Sequence, residues 1–158
     1  MSLINEQSKR YLEEADLTLY AAKTIFEKAK EEEKNLWFNV VRSTYDAIEQ
    51  AISAAIVRKS ELIPKQHPLK IKKFINLYKV SEETKNKIYY WLGKRASAQY
   101  IDIKDGNISV PQDLFEEEDA VKALEESESI INDVKDIINK SIEEDNKEDI
   151  KGEIKENG

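Results

Sequence analysis

Apolar residues recur along this chain in steps of three and four, a spacing that predicts α-helices over most of its length. Leu12, Ala15, Leu19, Ala22, Phe26 and Ala29 form one stripe of a first helix over about residues 5–32, with Glu and Lys common on its other faces and no Gly or Pro to interrupt it. The next segment, about residues 34–58, differs in kind. Trp37, Val41, Ile48, Ile52 and Ala55 mark one face, and Leu36, Val40, Ala47, Ala51 and Ala54 mark another. A helix apolar on more than one side is buried on more than one side, so this one is predicted to be the centre of the fold. Its Ala residues allow a neighbour to approach closely. Arg42, Tyr45, Asp46 and Glu49 lie within it and need partners once buried, which makes them the first candidates for function.

Pro64 and Pro68 mark a connection over 60–68, and Pro68 is placed to open a short third helix carrying Leu69, Ile71, Phe74, Ile75 and Leu77. Ser81 followed by Glu82 and Glu83 reads as a cap with acids in the first turn, while Thr84 stands where a full capping box would carry Glu or Gln. This fourth helix carries Ile88, Trp91, Leu92 and Ala96 to about Tyr100. Residues 101–115 are irregular: the turn signal Asp105-Gly106-Asn107, flanked by Ile101, Ile103, Ile108 and Val110, fits a small hairpin and an extended loop equally well. The acidic run 116–119 suits the start of a fifth helix, whose stripe is Ala120, Leu124, Ser127, Ile131, Val134 and Ile138. Long helices with short connections predict an all-α antiparallel bundle of four to five helices, with one irregular loop before the last helix. The bundle is expected over residues 1–142. Residues 143–158 are mostly charged or small and are expected to be a disordered acidic tail, because they bury too little apolar area to offset their ordering entropy.

Composition narrows the chemistry. A chain of 158 residues suits one packed domain. It has no Cys and a single His, His67, which excludes thiolate sites and multi-histidine sites within one chain. No metal or cofactor is expected: the phosphate-binding glycine loops, the G-x-S-x-G elbow and the H-E-x-x-H zinc motif are all missing from the sequence. No apolar run approaches the ~18 residues of a membrane span and there is no signal-peptide pattern, so the expectation is a cytoplasmic protein away from membranes. Richness in Lys, Glu and Ile without Cys leans toward a heat-adapted, thermophile source. The net charge of −7 is unevenly spread. Residues 59–95 hold ten basic and three acidic side chains, a local +7, whereas residues 113–158 hold six basic and seventeen acidic, a local −11. The two segments can attract each other within the fold or across a dimer, or stand as solvated faces.

Two places carry candidate chemistry. His67, in Lys-Gln-His-Pro, reads either as a helix-entry residue bonded to backbone or as a phosphate contact and general base among Lys65, Lys70, Lys72 and Lys73. In the second helix, Arg42 and Glu49 are seven apart and therefore about 10 Å apart along the axis, too far to pair within one helix. Arg42 and Asp46, at i and i+4, can pair locally. Alternatively, Arg42 of one copy approaches Glu49 or Asp46 of a second copy.

Several features in order make the chain resemble the HEPN domain family, over roughly residues 5–140. They are a long first helix, Arg-x-x-Tyr-x-Ala in the second (Arg42, Tyr45, Ala47), His-Pro-Leu entering a short third (His67, Pro68, Leu69), Arg-x-x-Ala-x-Tyr ending the fourth (Arg95, Ala98, Tyr100), a loop, and a final amphipathic helix. The resemblance implies a homodimer with the second-helix face lining a shared cleft, often working beside a minimal nucleotidyltransferase as a toxin-antitoxin-like module. Active members cleave RNA without metal, using an Arg, a polar residue and a His a few positions on. Here Arg42 and Ser43 are present, but the His positions hold Ala47, Ile48 and Glu49. The expectation is therefore a noncatalytic dimer binding a nucleotide, an RNA phosphate or a partner protein. In it Arg42 and Arg95 hold phosphate, Tyr45 and Tyr100 stack or hydrogen-bond, and Lys72 and Lys73 supply field. The alternatives are a divergent ribonuclease using Arg42 with Glu49 or His67, and a purely structural interaction module.

Overall fold

The computed structural model describes residues 2–157. Its elements are α1 (Leu3–Glu31), α2 (Trp37–Arg58), α3 (His67–Leu77), α4 (Glu82–Gln99), the strands β1 (Asp102–Lys104) and β2 (Asn107–Ser109), a single-turn α5 (Pro111–Leu114), and α6 (Glu117–Glu156). The architecture is the all-α bundle that the periodicity predicts, with one extra turn of helix at Pro111.

Local chemistry starts and stops these helices. Ser2 and Ser81 cap α1 and α4, each accepting from the backbone N–H three residues on. Glu116 and Asp119 form a reciprocal capping box at the start of α6. Both α1 and α2 close without glycine: Glu33 (φ 53°) and Ser60 (φ 60°) adopt left-handed backbone, and the next N–H returns to Ala29 O and Ile56 O respectively. Thr84 does more than fill a cap position. It is buried, and its hydroxyl donates to Asp133 at 3.0 Å, tying α4 to α6.

α2 is the central helix. Val40, Val41, Tyr45, Ala47, Ile48, Ala51, Ile52 and Ile56 are fully buried along it, and it packs against α1, α3, α4, α5 and α6. The contacts fix the directions of the rods. Ser8 Oγ donates to Ala54 O, while the ion pairs Lys30–Glu117, Lys23–Glu128 and Asp16–Lys135 align α1 with α6. Thus α1 runs antiparallel to both α2 and α6, and α2 and α6 run in the same sense. The connection 59–66 walks back beside α2, so α3 begins level with Glu49 and ends level with Ala55, whose carbonyl accepts from Tyr78 Oη at 2.7 Å.

Of the two readings left open for 101–115, the structure adopts the hairpin. Ile103 pairs with Ile108 and Lys104 with Asn107. Asp105 (φ 50°) and Gly106 (φ 76°) both take positive φ, as a two-residue turn of this hand requires. A second departure lies at the other end. The sequence reading expects disorder from residue 143, whereas α6 continues as helix to Glu156. Every side chain from 143 to 157 is exposed, so the helix there rests on local propensity and alternating charge rather than on packing. Among the described residues, no helix is long and apolar enough to cross a membrane.

Candidate functional site

Asn39, Arg42, Ser43, Asp46 and Gln50 step along one side of α2 at three- and four-residue intervals and are half-buried. They form a polar stripe on an otherwise enclosed helix. At its C-terminal end lies a groove of about 470 Å³, floored by Asp46, Glu49, Gln50 and Ser53 and walled by Tyr11 and by Ile63–Lys65 with Lys70.

Glu49 is the hub of this region. Its side chain is buried between α2 and α3, with one oxygen accepting from Lys70 Nζ and the other 2.5 Å from His67 Nδ1. An ionised carboxylate only accepts, so Nδ1 carries the proton in that contact. Burial pushes the Glu49 carboxyl pKa up, but the hydrogen bonds and charges of Lys70 and His67 outweigh it and hold the group below its usual range. His67 is thus a helix-entry residue, as one reading of the sequence has it, but its partner is the Glu49 side chain rather than backbone. Lys70, which sequence reasoning placed only among the neighbours of His67, turns out to be the closest partner of Glu49. Its spacing from His67, three residues on the same helix face, is the signal that could have found it.

The pairing of Arg42 with Asp46 does not form. Asp46 accepts instead from Arg95 Nε on α4 at 3.4 Å, and its carboxyl is raised by burial, an effect that the Arg95 charge only partly offsets. Arg42 donates to Asn39 Oδ1 at 3.1 Å and makes no ion pair among the described residues. Tyr45 lies between the two charged clusters. Its ring meets His67 edge-on at 6.2 Å and lies under the Arg95 guanidinium at 5.8 Å. Its hydroxyl is fully enclosed with no hydrogen-bond partner in the protein, as is Gln50 Oε1. Burial, reinforced by the Glu49 charge, drives the Tyr45 phenol pKa strongly up.

The fold therefore gathers Tyr45, Asp46, Glu49, His67, Lys70 and Arg95 into one cluster, with Arg42 one turn along. It does not bring the other candidates there. Tyr100 is exposed just past the end of α4. Lys72 and Lys73 line a separate recess with Pro64 and Leu69, and Lys73 is already paired with Glu61 at 2.9 Å and with Leu62 O.

The site is thus a charged groove on the central helix of an all-α bundle. Comparison with known families makes the assignment specific: the model of the HEPN domain family matches residues 8–137. The chain belongs to the HEPN domain family. No curated protein matches it.

Proposed function

We propose that this HEPN domain is a noncatalytic homodimer of the cytoplasm that binds the phosphate of a nucleotide or an RNA along the polar stripe of α2. The observation carrying this reading is the state of Arg42. Its guanidinium offers five N–H donors, and one hydrogen bond of 3.1 Å to Asn39 Oδ1 is the only one it makes among the described residues. Lys70 and His67 are already engaged with Glu49, and Arg95 with Asp46. Arg42 is therefore the cation within the stripe left over to meet an anion, with Lys65, which makes no ion pair among the described residues, on the wall of the adjoining groove.

The same geometry argues against cleavage. A general base must be free to take a proton, whereas Glu49 is held ionised by two donors and has a lowered pKa. A pairing with a nucleotidyltransferase in a two-component module is part of this reading, and an adjacent gene for one would support it.

Titration of the purified protein with nucleotides and short RNAs tests the reading. Saturable binding that Arg42→Ala weakens at least about tenfold, with the RNA recovered intact, supports it. Metal-independent cleavage lost in Arg42→Ala would replace it with the ribonuclease reading. An absence of binding to either class leaves the domain as a protein-interaction module and refutes phosphate recognition.

A further inference from the structure

The hairpin of β1 and β2 stands clear of the bundle. Every residue from Ile101 to Ile108 is exposed, and the two strands pack chiefly on each other. Ile103 and Ile108 lie opposite each other, and Ile101, two residues back along the extended chain, shares their face. Ile101, Ile103 and Ile108 are 69%, 73% and 73% exposed. A lone two-stranded hairpin is marginal in water and gains stability from further strands. Any strand that extends this one has to come from outside its own bundle.

The register shows which backbone groups are free. Asp105 and Gly106 form a two-residue turn, so Lys104 and Asn107 are the hydrogen-bonded pair that closes it, and Ile103 and Ile108 are the non-hydrogen-bonded pair next along. The N–H and C=O of Ile103 therefore point away from β2, at the open edge of β1. That N–H donates to the carboxylate of its neighbour Asp102 at 2.8 Å, not to another strand. An edge of this kind is a template for pairing with a further strand.

The sequence of β1 is its own complement when read antiparallel. About a two-fold axis at Ile103, the N–H and C=O of that residue meet those of Ile103 in a second copy, and Asp102 of each copy falls opposite Lys104 of the other. Neither Asp102 nor Lys104 makes an ion pair among the described residues. Asn107 and Ser109, the remaining residues of that face of the hairpin, are uncharged, so no like charge opposes the match. β2 carries no such pattern: a two-fold axis at Ile108 sets Asn107 against Ser109.

We infer that β1 pairs antiparallel with β1 of a second copy about Ile103, joining two hairpins into a four-stranded sheet of order β2-β1-β1-β2. Two Asp102–Lys104 bridges lie on one face of that sheet, and the isoleucines of both copies stand side by side on the other. As the backbone bonds form, the Asp102 carboxylate leaves the N–H of Ile103 for the lysine across the axis. A two-fold contact has to match its own surface, and the run of acid, isoleucine and lysine does so in a single register, with opposite charges directly across from each other. That self-match selects a second copy as the occupant. The contact is separate from the α2 stripe and does not depend on phosphate binding there.

Cross-linking of the full chain, which has no cysteine of its own, reads the register directly. Under mild oxidation a mixture of the Asp102→Cys and Lys104→Cys variants is expected to form a disulfide-linked heterodimer at least about tenfold faster than either variant alone, or than either mixed with Leu17→Cys at an exposed position of α1. In sedimentation equilibrium, Asp102→Lys and Lys104→Asp are each expected to weaken self-association at least about tenfold, because each sets like charges across the axis. Carrying both exchanges in one chain restores opposite charges and is expected to recover affinity to within about threefold of wild type. Both positions are exposed, so circular dichroism melts of the variants should overlay that of wild type. Cross-linking no faster than the Leu17 control, or an affinity that ignores the single reversals, would overturn the inference and leave self-association through the α2 face intact. Rapid cross-linking of Ile108→Cys with itself, in place of the mixed pair, would also overturn it and assign the contact to β2. A double exchange that fails to re-associate rejects the proposed register. A wild type that stays monomeric at about millimolar concentration refutes this contact and the homodimer together.

Discussion

Glu49→Ala is the perturbation that most directly probes how α3 is held. The wild-type carboxylate joins α2 to α3 through two donors, with the Glu49 side chain only 10% and the Lys70 side chain only 14% exposed. Removing it leaves the largely enclosed Lys70 ammonium, and an imidazole N–H of the more exposed His67, without their acceptor. Breaking one side of a buried ion pair costs about 3–5 kcal/mol. The Lys70 stem can carry its head part of the way to water, which points to the lower end, about 3 kcal/mol. For a chain of this size that is a fall in Tm of roughly 6–12 °C. Urea denaturation followed by circular dichroism gives the free energy directly. Lys70→Met in the same background decides whether the cost belongs to the pair: with both charges gone the double variant should recover at least about 1.5 kcal/mol relative to the sum of the singles. Additive losses, or a Glu49→Ala cost below about 1 kcal/mol, would show that α3 is held by its apolar face alone and that the clip is incidental.

Four further outcomes follow from particular contacts. Arg42→Ala should change stability by less than about 0.5 kcal/mol in thermal melts, because it breaks only a bond to Asn39 on its own helix. Phe74→Ala, at a fully buried position on α3, should cost about 3–5 kcal/mol in the same denaturation assay through lost transfer energy and the cavity left behind. Gly106→Val forces a β-branched side chain to φ 76° and should open the hairpin; hydrogen exchange should quicken at 102–109 while the melting of the bundle stays put, since both strands are exposed. Stability against pH should separate the two carboxylates. Glu49 has a lowered folded pKa, so its contribution is present above the unfolded carboxylate value and lost as pH falls through the folded one; Glu49→Gln should flatten that acid limb. Asp46 has a raised folded pKa, so its contribution is present below the unfolded value and lost as pH rises through the folded one; Asp46→Asn should therefore remove that fall of stability with rising pH.

The helices were legible because each is signalled redundantly, by a stripe, by caps and by the scarcity of breakers. α2 in particular announced its centrality through two apolar faces, and its burial on five sides bears that out. What periodicity could not supply was the partner of each polar group inside it. Arg42 and Asp46 stand at a spacing that permits a local pair, yet Asp46 turns to Arg95, forty-nine residues away in sequence. That choice depends on the rotation of α4 against α2, a tertiary quantity with no trace in either helix alone. Lys70 was overlooked for the same reason: the walk of residues 59–66 back along α2, which sets α3 level with Glu49, is irregular backbone that no hydrophobic pattern encodes. The distal part of α6 illustrates the converse. Its low apolar content says correctly that it buries nothing, but Glu and Lys in alternation also favour helix, and the structure follows the propensity.

The polar residues of α2 divide by what they connect. Glu49 reaches α3, Asp46 reaches α4, and Ser8 on α1 reaches the Ala54 carbonyl. Each bridges two elements, and together they set the rotation of the central rod against its neighbours, a job apolar packing performs less exactingly because many apolar arrangements are close in energy. Arg42 bridges nothing, since its partner Asn39 is one turn back on the same helix. Its stem is half-buried and costs conformational entropy to order, while its charge is neutralised by no side chain in contact with it. The proposed phosphate contact assigns this cation, which no bond ties to a second helix, a role outside the fold. The stability of Arg42→Ala and the binding lost with it therefore test the same idea from opposite sides. A variant that binds normally but melts early would place Arg42 among the structural residues and remove the ground for phosphate recognition.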